Sequence, residues 1–510
     1  MTGPSELPGA GSHRGLRVRR LGIDTHQEAV VYMRQDCPVC RAEGFLTHPR
    51  VRVRSRTASA IATINQVVSG LLRPLEVGLS ESAWQRLGVA EGDEVFFSHP
   101  APLDSLSLLR AKIYGSRFGD RALATIIGDI GAGRYSDIHL ASFITACAAR
   151  GLDDREMLEL TRAMVASGDR LDWGAGPVVD KHCVGGLPGN RTTPIVVSIV
   201  AACGLTMPKT SSRAITSPAG TADTMETMAP VDLDLPDMRR VVEQEGGCVV
   251  WGGAVRLSPI DDTLIRVERA LDIDSEGQLV ASVLSKKAAA GSTHLVLDLP
   301  VGPTAKVRSD VDAARLEAAL TLVGTSLGMR VRCIRTDGRQ PVGRGIGPAL
   351  EARDVLAVLQ DRADAPADLR DRALALAGAL LELGGAAAAG AGAAAAGAVL
   401  ADGRAWRKFQ AICEAQGGMR MPPVAAYRHP VTAAKGGRVT GIDNRAIAKA
   451  AKLAGAPSAK AAGLDLHVRL NQTVAAGEPL FTLHAESQGE LDYALDYVST
   501  HPLAVRVEEA

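Results

Sequence analysis

The rhythm of apolar and polar positions changes several times along this chain, and each change predicts a different kind of element. Residues 16 to 99 carry short alternations, such as A-V-V-Y-M at 29–33, V-R-V-R at 51–54 and E-V-F-F-S at 94–98, broken by glycine turns. Period-two alternation places one strand face in a core and the other in water, so a small β-rich domain is expected over 14–100. Ser80 stands before a short helical segment as its expected N-cap. From Leu103 to Ser167 the apolar spacing becomes three and four. S-L-L-R-A-K-I-Y-G, D-I-H-L-A-S-F-I-T-A-C-A-A-R-G and D-R-E-M-L-E-L-T-R-A-M predict three helices, hence a helical domain over 101–170 that also takes part of 255–290.

Beyond Leu171, β-branched runs alternate with helical stretches, which predicts an α/β core over 171–422. Strands are expected at H-L-V-L-D-L-P (294–300) and R-V-R-C-I-R-T (330–336), and the glycine-rich 337–350 leads into another helix. Ala386 to Ala401 is mostly alanine and glycine, which fits a helix pair or a packed helix rather than a membrane span. Strand-like alternation returns in the closing domain, 423–510. Its stretch V-R-L-N-Q-T-V-A-A-G-E-P-L-F-T-L-H-A resembles a lipoyl-type hairpin without a lysine at the turn to carry a cofactor. Residues 1–13, rich in Gly, Pro and Ser, read as a flexible tail.

Two consecutive strand-loop-helix units in residues 178–229 carry the candidate chemistry. In the first, Val178-Val179 leads through Asp180, Lys181, His182, Cys183, Val184, Gly185 and Gly186 to an apolar run from Pro194 to Cys203, with Gly204 just past its end. In the second, Leu205–Pro208 is the strand, 209–217 a polar loop, and Pro218 opens the helix. The first N–H groups of a helix lack internal partners and sit at the positive end of its dipole, so such loops attract anions. Ser211, Ser212, Thr216, Ser217 and Thr221 offer hydroxyls, and Lys181, Lys209 and Arg213 offer charge. Neither G-x-x-x-x-G-K-[ST] nor G-x-G-x-x-G is present in them, so the expected anion is a small one or the phosphate of a mononucleotide.

Composition narrows the class. With 57 basic and 57 acidic side chains, nucleic acid is not expected as a partner. The arginines of 50–56 alternate with Val51 and Val53, as the wet face of a strand would. No signal-like or membrane-spanning stretch is visible, so a cytoplasmic protein with no membrane partner is expected. Eight scattered cysteines fit reduced thiols. Cys37 and Cys40 form the one close pair, open to two readings: free or redox-active thiols, or a metal site completed by His26 and His48. No metal is expected at the anion loops. Aromatic residues make up only 3%, so a bound base would rest on hydrogen bonds and aliphatic packing.

D-K-H-C-V-G-G at 180–186, A-A-C-G-L-T-M-P-K-T-S-S-R-A-I-T-S-P-A-G-T at 201–221 and L-V-A-S-V-L-S-K-K at 279–287 resemble the thymidine phosphorylase and AMP phosphorylase family. The resemblance implies a multidomain α/β protein: a helical domain plus a phosphate-binding α/β domain, with small β-rich N-terminal and C-terminal domains. It also implies reversible phosphorolysis, in which phosphate attacks C1′ of a nucleoside or nucleotide and releases the base. Inorganic phosphate is then a co-substrate, no cofactor is required, and a homodimer or larger homo-oligomer is expected. Cys183 stands where simple thymidine phosphorylases have serine, and S-S-R-A-I-T-S and the long N-terminal extension look more like the AMP branch.

Cleaving an N-glycosidic bond builds positive charge on the sugar and negative charge on the departing base, so it requires an anionic nucleophile below C1′ and a donor at the base. The resemblance implies phosphate or nucleotide contacts from Lys181, Gly186, Ser211, Ser212, Arg213, Ala214, Ile215, Thr216, Ser217 and Thr221. It implies base or substrate contacts from Arg266, Ser282, Lys286 and Lys306, with Arg269 the alternative to Arg266. Asp274 and His182 compete as proton donor, and His182 has a second possible role in polarising a pyrimidine carbonyl. Closure between the helical and α/β domains would exclude water. The substrate choice stands between thymidine and AMP or another 5′-monophosphate. An anthranilate-type phosphoribosyltransferase would need an acidic magnesium pair, which the two loops do not show. A non-catalytic nucleotide sensor is the rival of another class.

Overall fold

The computed structural model describes residues 15–42, 50–189, 191–214, 217–255, 257–273, 275–501 and 504–509. They form two compact units that divide between Arg150 and Gly151. In the first unit β1 (Leu16–Arg20), β2 (Val30–Arg34), α1 (Pro38–Ala42), β3 (Arg50–Arg54), β4 (Ser59–Val67), β5 (Glu76–Leu79), α2 (Glu81–Leu87) and β6 (Glu94–Ser98) follow in order. The six strands close into a barrel in the order β1-β5-β2-β4-β3-β6. Alternation decides which face is inside: Val51 and Val53 are fully buried, while Arg52 and Arg54 face solvent. Ser80 caps α2 by accepting from Ala83 N at 3.3 Å.

Three helices complete the first unit: α3 (Ser105–Ile113), α4 (Ala122–Gly131) and α5 (Asp137–Arg150). The sequence spacing misses α4. Its A-L-A-T-I-I-G-D-I-G contains two glycines, which weaken helix propensity. Burial of Leu123, Ile126, Ile127 and Ile130 outweighs that cost.

The second unit opens with α6 (Asp154–Ala166), started by a capping box between Asp153 and Glu156. Then come β7 (Val179–Cys183), α7 (Thr192–Ala202), β8 (Met207–Ser211), α8 (Thr221–Glu226), α9 (Leu235–Glu245), β9 (Gly247–Trp251), α10 (Pro259–Leu271), α11 (Glu276–Ala289), β10 (His294–Val301), α12 (Asp310–Ser326) and β11 (Arg330–Asp337). β11, β10 and β7 form a parallel sheet in that order, and β8 pairs in parallel with β9. A bridge between Val178 and Thr206 joins the two groups, with Val179 N donating to Thr206 O at 2.9 Å. Parallel strands must be covered on both faces. Val196, Val200 and Val296 pack in one cluster, and Leu284, Leu295, Leu297 and Leu320 in another.

Both strands of the candidate site run further than the sequence pattern allows. Val179 and Pro208 are the expected strand ends, yet β7 continues through Cys183 and β8 through Ser211. Likewise α7 begins at Thr192, two residues before Pro194, and α8 at Thr221, three residues after Pro218. Asp180, Lys181, Lys209 and Ser211 look like loop residues because they are polar. They are buried inside the sheet, where partners from other elements offset much of the cost of desolvation for Asp180, Lys181 and Lys209.

After the sheet come β12 (Gly345–Ile346), α13 (Pro348–Leu359), α14 (Ala367–Leu383), α15 (Gly392–Ala401) and α16 (Arg404–Ala415). The C-terminal part contains β13 (Tyr427–Thr432), β14 (Gly437–Ile442), α17 (Asn444–Leu453), β15 (Gly463–Leu466), β16 (Thr473–Val474), β17 (Pro479–Ala485), α18 (Gln488–Thr500) and β18 (Val505–Glu508). Its core uses helices as well as strands, with Ile447, Ala451, Leu491 and Ala494 packed among Leu464, Phe481 and Leu483. β12 joins its sheet, in the order β12-β15-β17-β13. Among the described residues, no helix is long and apolar enough to cross a membrane.

Candidate active site

Parallel strands place the loops that follow them at one edge of the sheet, where ligands of such folds bind. β7 delivers its charges to both faces of that edge. The Asp180 carboxylate pairs with Lys287 Nζ at 2.8 Å, from α11, and with Lys209 Nζ at 3.2 Å, from β8. One position on, Lys181 Nζ donates to Thr192 Oγ1 at 2.6 Å and Thr193 Oγ1 at 3.1 Å, in the first turn of α7. Asp298, on β10 and fully buried, adds a negative charge that acts on Lys181. Three buried lysines stand against two buried aspartates, so the cluster carries one surplus positive charge when Lys287 is protonated. A buried charge without a partner is costly, so this cluster favours an anion at its open edge.

The ionisation states follow from the same crowding. Burial pushes Asp180 up, but Lys209 and Lys287 outweigh it, and the carboxyl is held below its ordinary range. Burial also lowers Lys287, against the pull of Asp180 and helped by the charge of Lys209. His182 lies well below the usual histidine range, first through burial and then through Lys287, Lys209, Lys286 and Lys181. Its imidazole is therefore neutral near pH 7, suited to donate a hydrogen bond but not to exist as a cationic acid. Burial and then Asp298 push the Cys183 thiol far up, so it is no thiolate. Its sulfur lies under the first loop, 2.7 Å from where a Cβ on Gly189 would stand.

Gly185, at φ +83°, requires a conformation that favours glycine, and an added Cβ would come within 2.9 Å of Lys306 Cβ. Lys306, exposed and far along the chain, thus reaches the first loop. Gly186 closes a local turn by accepting from Gly189 N at 3.0 Å.

The second loop is organised differently. Ser211 ends β8, and its buried Oγ has no hydrogen-bond partner among the described residues. Ser212 is exposed, with its carbonyl accepting from Ala222 N at 3.3 Å. Arg213 turns away from the loop: Nη1 and Nη2 donate to Glu226 at 2.8 and 2.9 Å, further contacts reach Asp223 and Asp232, and the guanidinium stacks 4.9 Å from the Trp251 ring. Ala214 N donates to Asp223 Oδ2 at 2.6 Å, and Ser217 Oγ to Ala219 O at 2.8 Å. Thr221 is the first residue of α8. That helix has only six residues, so any dipole argument rests mainly on α7. Ile215 and Thr216 lie outside the described residues.

On α11, Ser282 and Lys286 are four apart and share a face. Lys286 Nζ pairs with Asp261 Oδ2 at 2.5 Å. Burial pushes this ammonium down, but Asp261 and Asp262 more than offset it and hold it above the usual range. Arg266 is half-buried on α10, whereas Arg269 is exposed. Asp274 lies outside the described residues. Among the described residues, no group of three or more His, Cys, Asp or Glu is arranged to hold a metal. Cys37 is a free, buried thiol in the barrel core.

Three domain models match in chain order: a glycosyl transferase family helical bundle domain at residues 106–168, the a/b domain of that family at 175–406, and a pyrimidine nucleoside phosphorylase C-terminal domain at 438–501. "Putative thymidine phosphorylase 1" of Acidovorax sp. (strain JS42) is 65% identical over 97% of both chains. "Putative thymidine phosphorylase" of Polaromonas sp. is 63% identical over 100% of this chain and 99% of its own, and that of Maricaulis maris is 61% identical over 97% and 95%. The chain belongs to the thymidine phosphorylase family. It is an enzyme of the pentosyltransferase type. Anthranilate phosphoribosyltransferase from Thermus thermophilus has a related fold, with a TM-score of 0.52 at 20% identity, over 61% of this chain and 99% of its own.

For a member of this family, the structure gathers the expected residues unevenly. Lys286 is among the charges acting on His182, so the α11 side and the first loop meet at one imidazole. Arg213 faces carboxylates, although its place in the loop made it a candidate phosphate cation. Sequence reasoning passed over Lys287, Asp261, Asp223 and Glu226 as site residues. Lys286 and Lys287 are neighbours in S-K-K, but successive helical residues point about 100° apart, so one pairs with Asp261 and the other with Asp180. A helix-phase reading of 279–287 would have separated them. No local signal marks Asp261, Asp223 or Glu226, which look like ordinary acids in the first or last turn of a helix.

Proposed function

We propose that this enzyme catalyses reversible phosphorolysis of a pyrimidine nucleoside, with thymidine and phosphate giving thymine and 2-deoxyribose 1-phosphate. The observation that carries this reading is the buried cluster of Lys181, Lys209 and Lys287 around Asp180 and Asp298, which gains a surplus positive charge when Lys287 is protonated, together with the Ser211 hydroxyl that has no partner among the described residues. In this reading the attacking phosphate takes hydrogen bonds from the Gly185-Gly186 loop, Ser211 and Thr221. Lys181 acts from beneath by holding the first turn of α7, while Lys209 and Lys287 supply field. A phosphate oxygen attacks C1′ as the bond from C1′ to the base nitrogen breaks, and the bonding pair leaves with the base. Neutral His182 donates a hydrogen bond to the pyrimidine carbonyl, Asp274 delivers the proton, and Ser282, Lys286, Lys306 and Arg266 orient the base and sugar. Inorganic phosphate is the co-substrate and no cofactor takes part. The reading extends to a cytoplasmic homo-oligomer, a dimer or larger.

The nucleotide alternative, an AMP-type phosphorylase releasing ribose 1,5-bisphosphate, needs a cation for the second phosphate. Commitment of Arg213 to Glu226, Asp223 and Asp232 speaks for the nucleoside. The test is incubation of the purified enzyme with phosphate and a panel of nucleosides and 5′-monophosphates, followed by separation of free bases. Thymine from thymidine only when phosphate is present is the expected result. Base from AMP or CMP but none from thymidine would replace the nucleoside reading.

A further inference from the structure

The second loop is held by charges that include one from the C-terminal part of the chain. Asp223 is almost fully buried and accepts from Ala214 N at 2.6 Å and Gly220 N at 3.0 Å, so it pins both ends of the segment between them. Its other oxygen meets Arg213 Nη1 at 3.3 Å and Lys460 Nζ at 3.6 Å. Glu226, one turn further along α8, pairs with Arg213 at 2.8 Å and with Lys460 Nζ at 2.7 Å. Two carboxylates of α8 thus face two cations, one inside the loop, which also meets Asp232 at 3.4 Å, and one more than 230 positions later. The backbone of Lys460 is tied to α13, its carbonyl accepting from Ala349 N at 3.0 Å. The packing beneath is equally tight: a Cβ on Gly220 would lie 2.5 Å from the backbone of Ser212 and Arg213.

We propose that Lys460 is a positioning residue for the loop between Ser211 and Thr221, acting through Asp223 and Glu226 to set the two hydroxyls that flank it. The role rests on the phosphorolysis reading for its kinetic consequence, but not for its structural one. The side-chain ion pairs of Lys460 among the described residues are those with Asp223 and Glu226. It neutralises the carboxylates that Arg213 alone would share, and so keeps Asp223 oriented on the Ala214 and Gly220 amides.

Hydrogen exchange of residues 211–223 in the full-length protein, compared between wild type, Lys460→Ala and Lys460→Arg, tests this without turnover. Removing a partly exposed ion pair is expected to speed exchange of these amides about fivefold in Lys460→Ala, with Lys460→Arg close to wild type. In the phosphorolysis assay, the KM for phosphate rises by a similar factor while kcat at saturation stays within about twofold. Unchanged exchange in Lys460→Ala overturns the proposal. So does an equal defect in Lys460→Arg, or a fall in kcat and Tm with the KM constant. Absence of phosphorolysis in the wild type would sink the reaction instead, and the exchange result would still decide the role of Lys460.

Discussion

The two tandem loops share a grammar of strand, polar turn and helix, yet they are built by opposite means. The first takes its order from inside the sheet: Asp180 and Lys181 are strand residues, and their partners sit on β8, α11 and α7. The second has Arg213 paired with carboxylates of α8 and with Asp232. Its shape is imposed by Asp223, Glu226 and Lys460, and its helix is a six-residue turn rather than a long dipole. The difference separates tasks. The first loop, built on buried ion pairs, suits a fixed cationic floor for phosphate, whereas the second, clamped by side chains from outside it, suits the placing of the hydroxyls that flank it.

The largest expected effect comes from removing the Ser211 hydroxyl. Ser211→Ala should cost about 100-fold in kcat/KM, about 3 kcal/mol of transition-state stabilisation, with Tm little changed because the hydroxyl has no partner to lose. Full activity in Ser211→Ala would remove the second loop from phosphate binding. Lys181→Ala should be as damaging, but it also leaves Thr192 and Thr193 without their buried donor, so a Tm measurement must accompany it.

Next in size is the contrast between adjacent lysines. Lys287→Met should raise the KM for phosphate by about tenfold, and Lys286→Met should raise the KM for the nucleoside instead, since the two side chains pair on different sides of α11. Identical kinetic signatures would erase the distinction. Gly220→Ala drives a methyl into the backbone of Ser212 and Arg213 and should destabilise by about 1–3 kcal/mol, read by thermal or denaturant unfolding. Arg213→Ala should be milder, about two- to fivefold in KM, because that guanidinium is about a third exposed and solvent weakens its pairs.

The smallest effect concerns pH. Burial holds Lys287 below its ordinary 10.5, so the unfolded chain binds more protons than the folded one in the window between the two values. Stability from this group therefore rises with pH through that window. Phosphate binding has the reverse sign, because a bound anion restores the proton. Affinity for phosphate should weaken as pH rises above neutrality, and calorimetry in buffers of different ionisation enthalpy should register proton uptake. Proton release on binding would contradict the charge assignment.

Much of the fold could be read from periodicity. The strands at 294–301 and 330–337 stand where apolar runs predict them, and the alternation of Val51 and Val53 with arginines marks a barrel strand. α4 escapes because its helix comes from burial rather than propensity. The ends of β7 and β8 escape because polarity signals a loop unless buried partners are known. The site divides in the same way. Lys181, His182 and Ser211 lie in compact motifs whose residue types announce an anion. Asp261, Asp223 and Lys460 matter through contacts across 25, 9 and more than 230 positions, and pattern within a window carries no trace of such pairing.

The most direct measurement is release of free base by the purified enzyme from thymidine, with and without inorganic phosphate, alongside AMP and CMP. Thymine and 2-deoxyribose 1-phosphate in equal amounts, formed only with phosphate, is the predicted result. No phosphate-dependent release from any of the three would contradict phosphorolysis as the chemistry of this site.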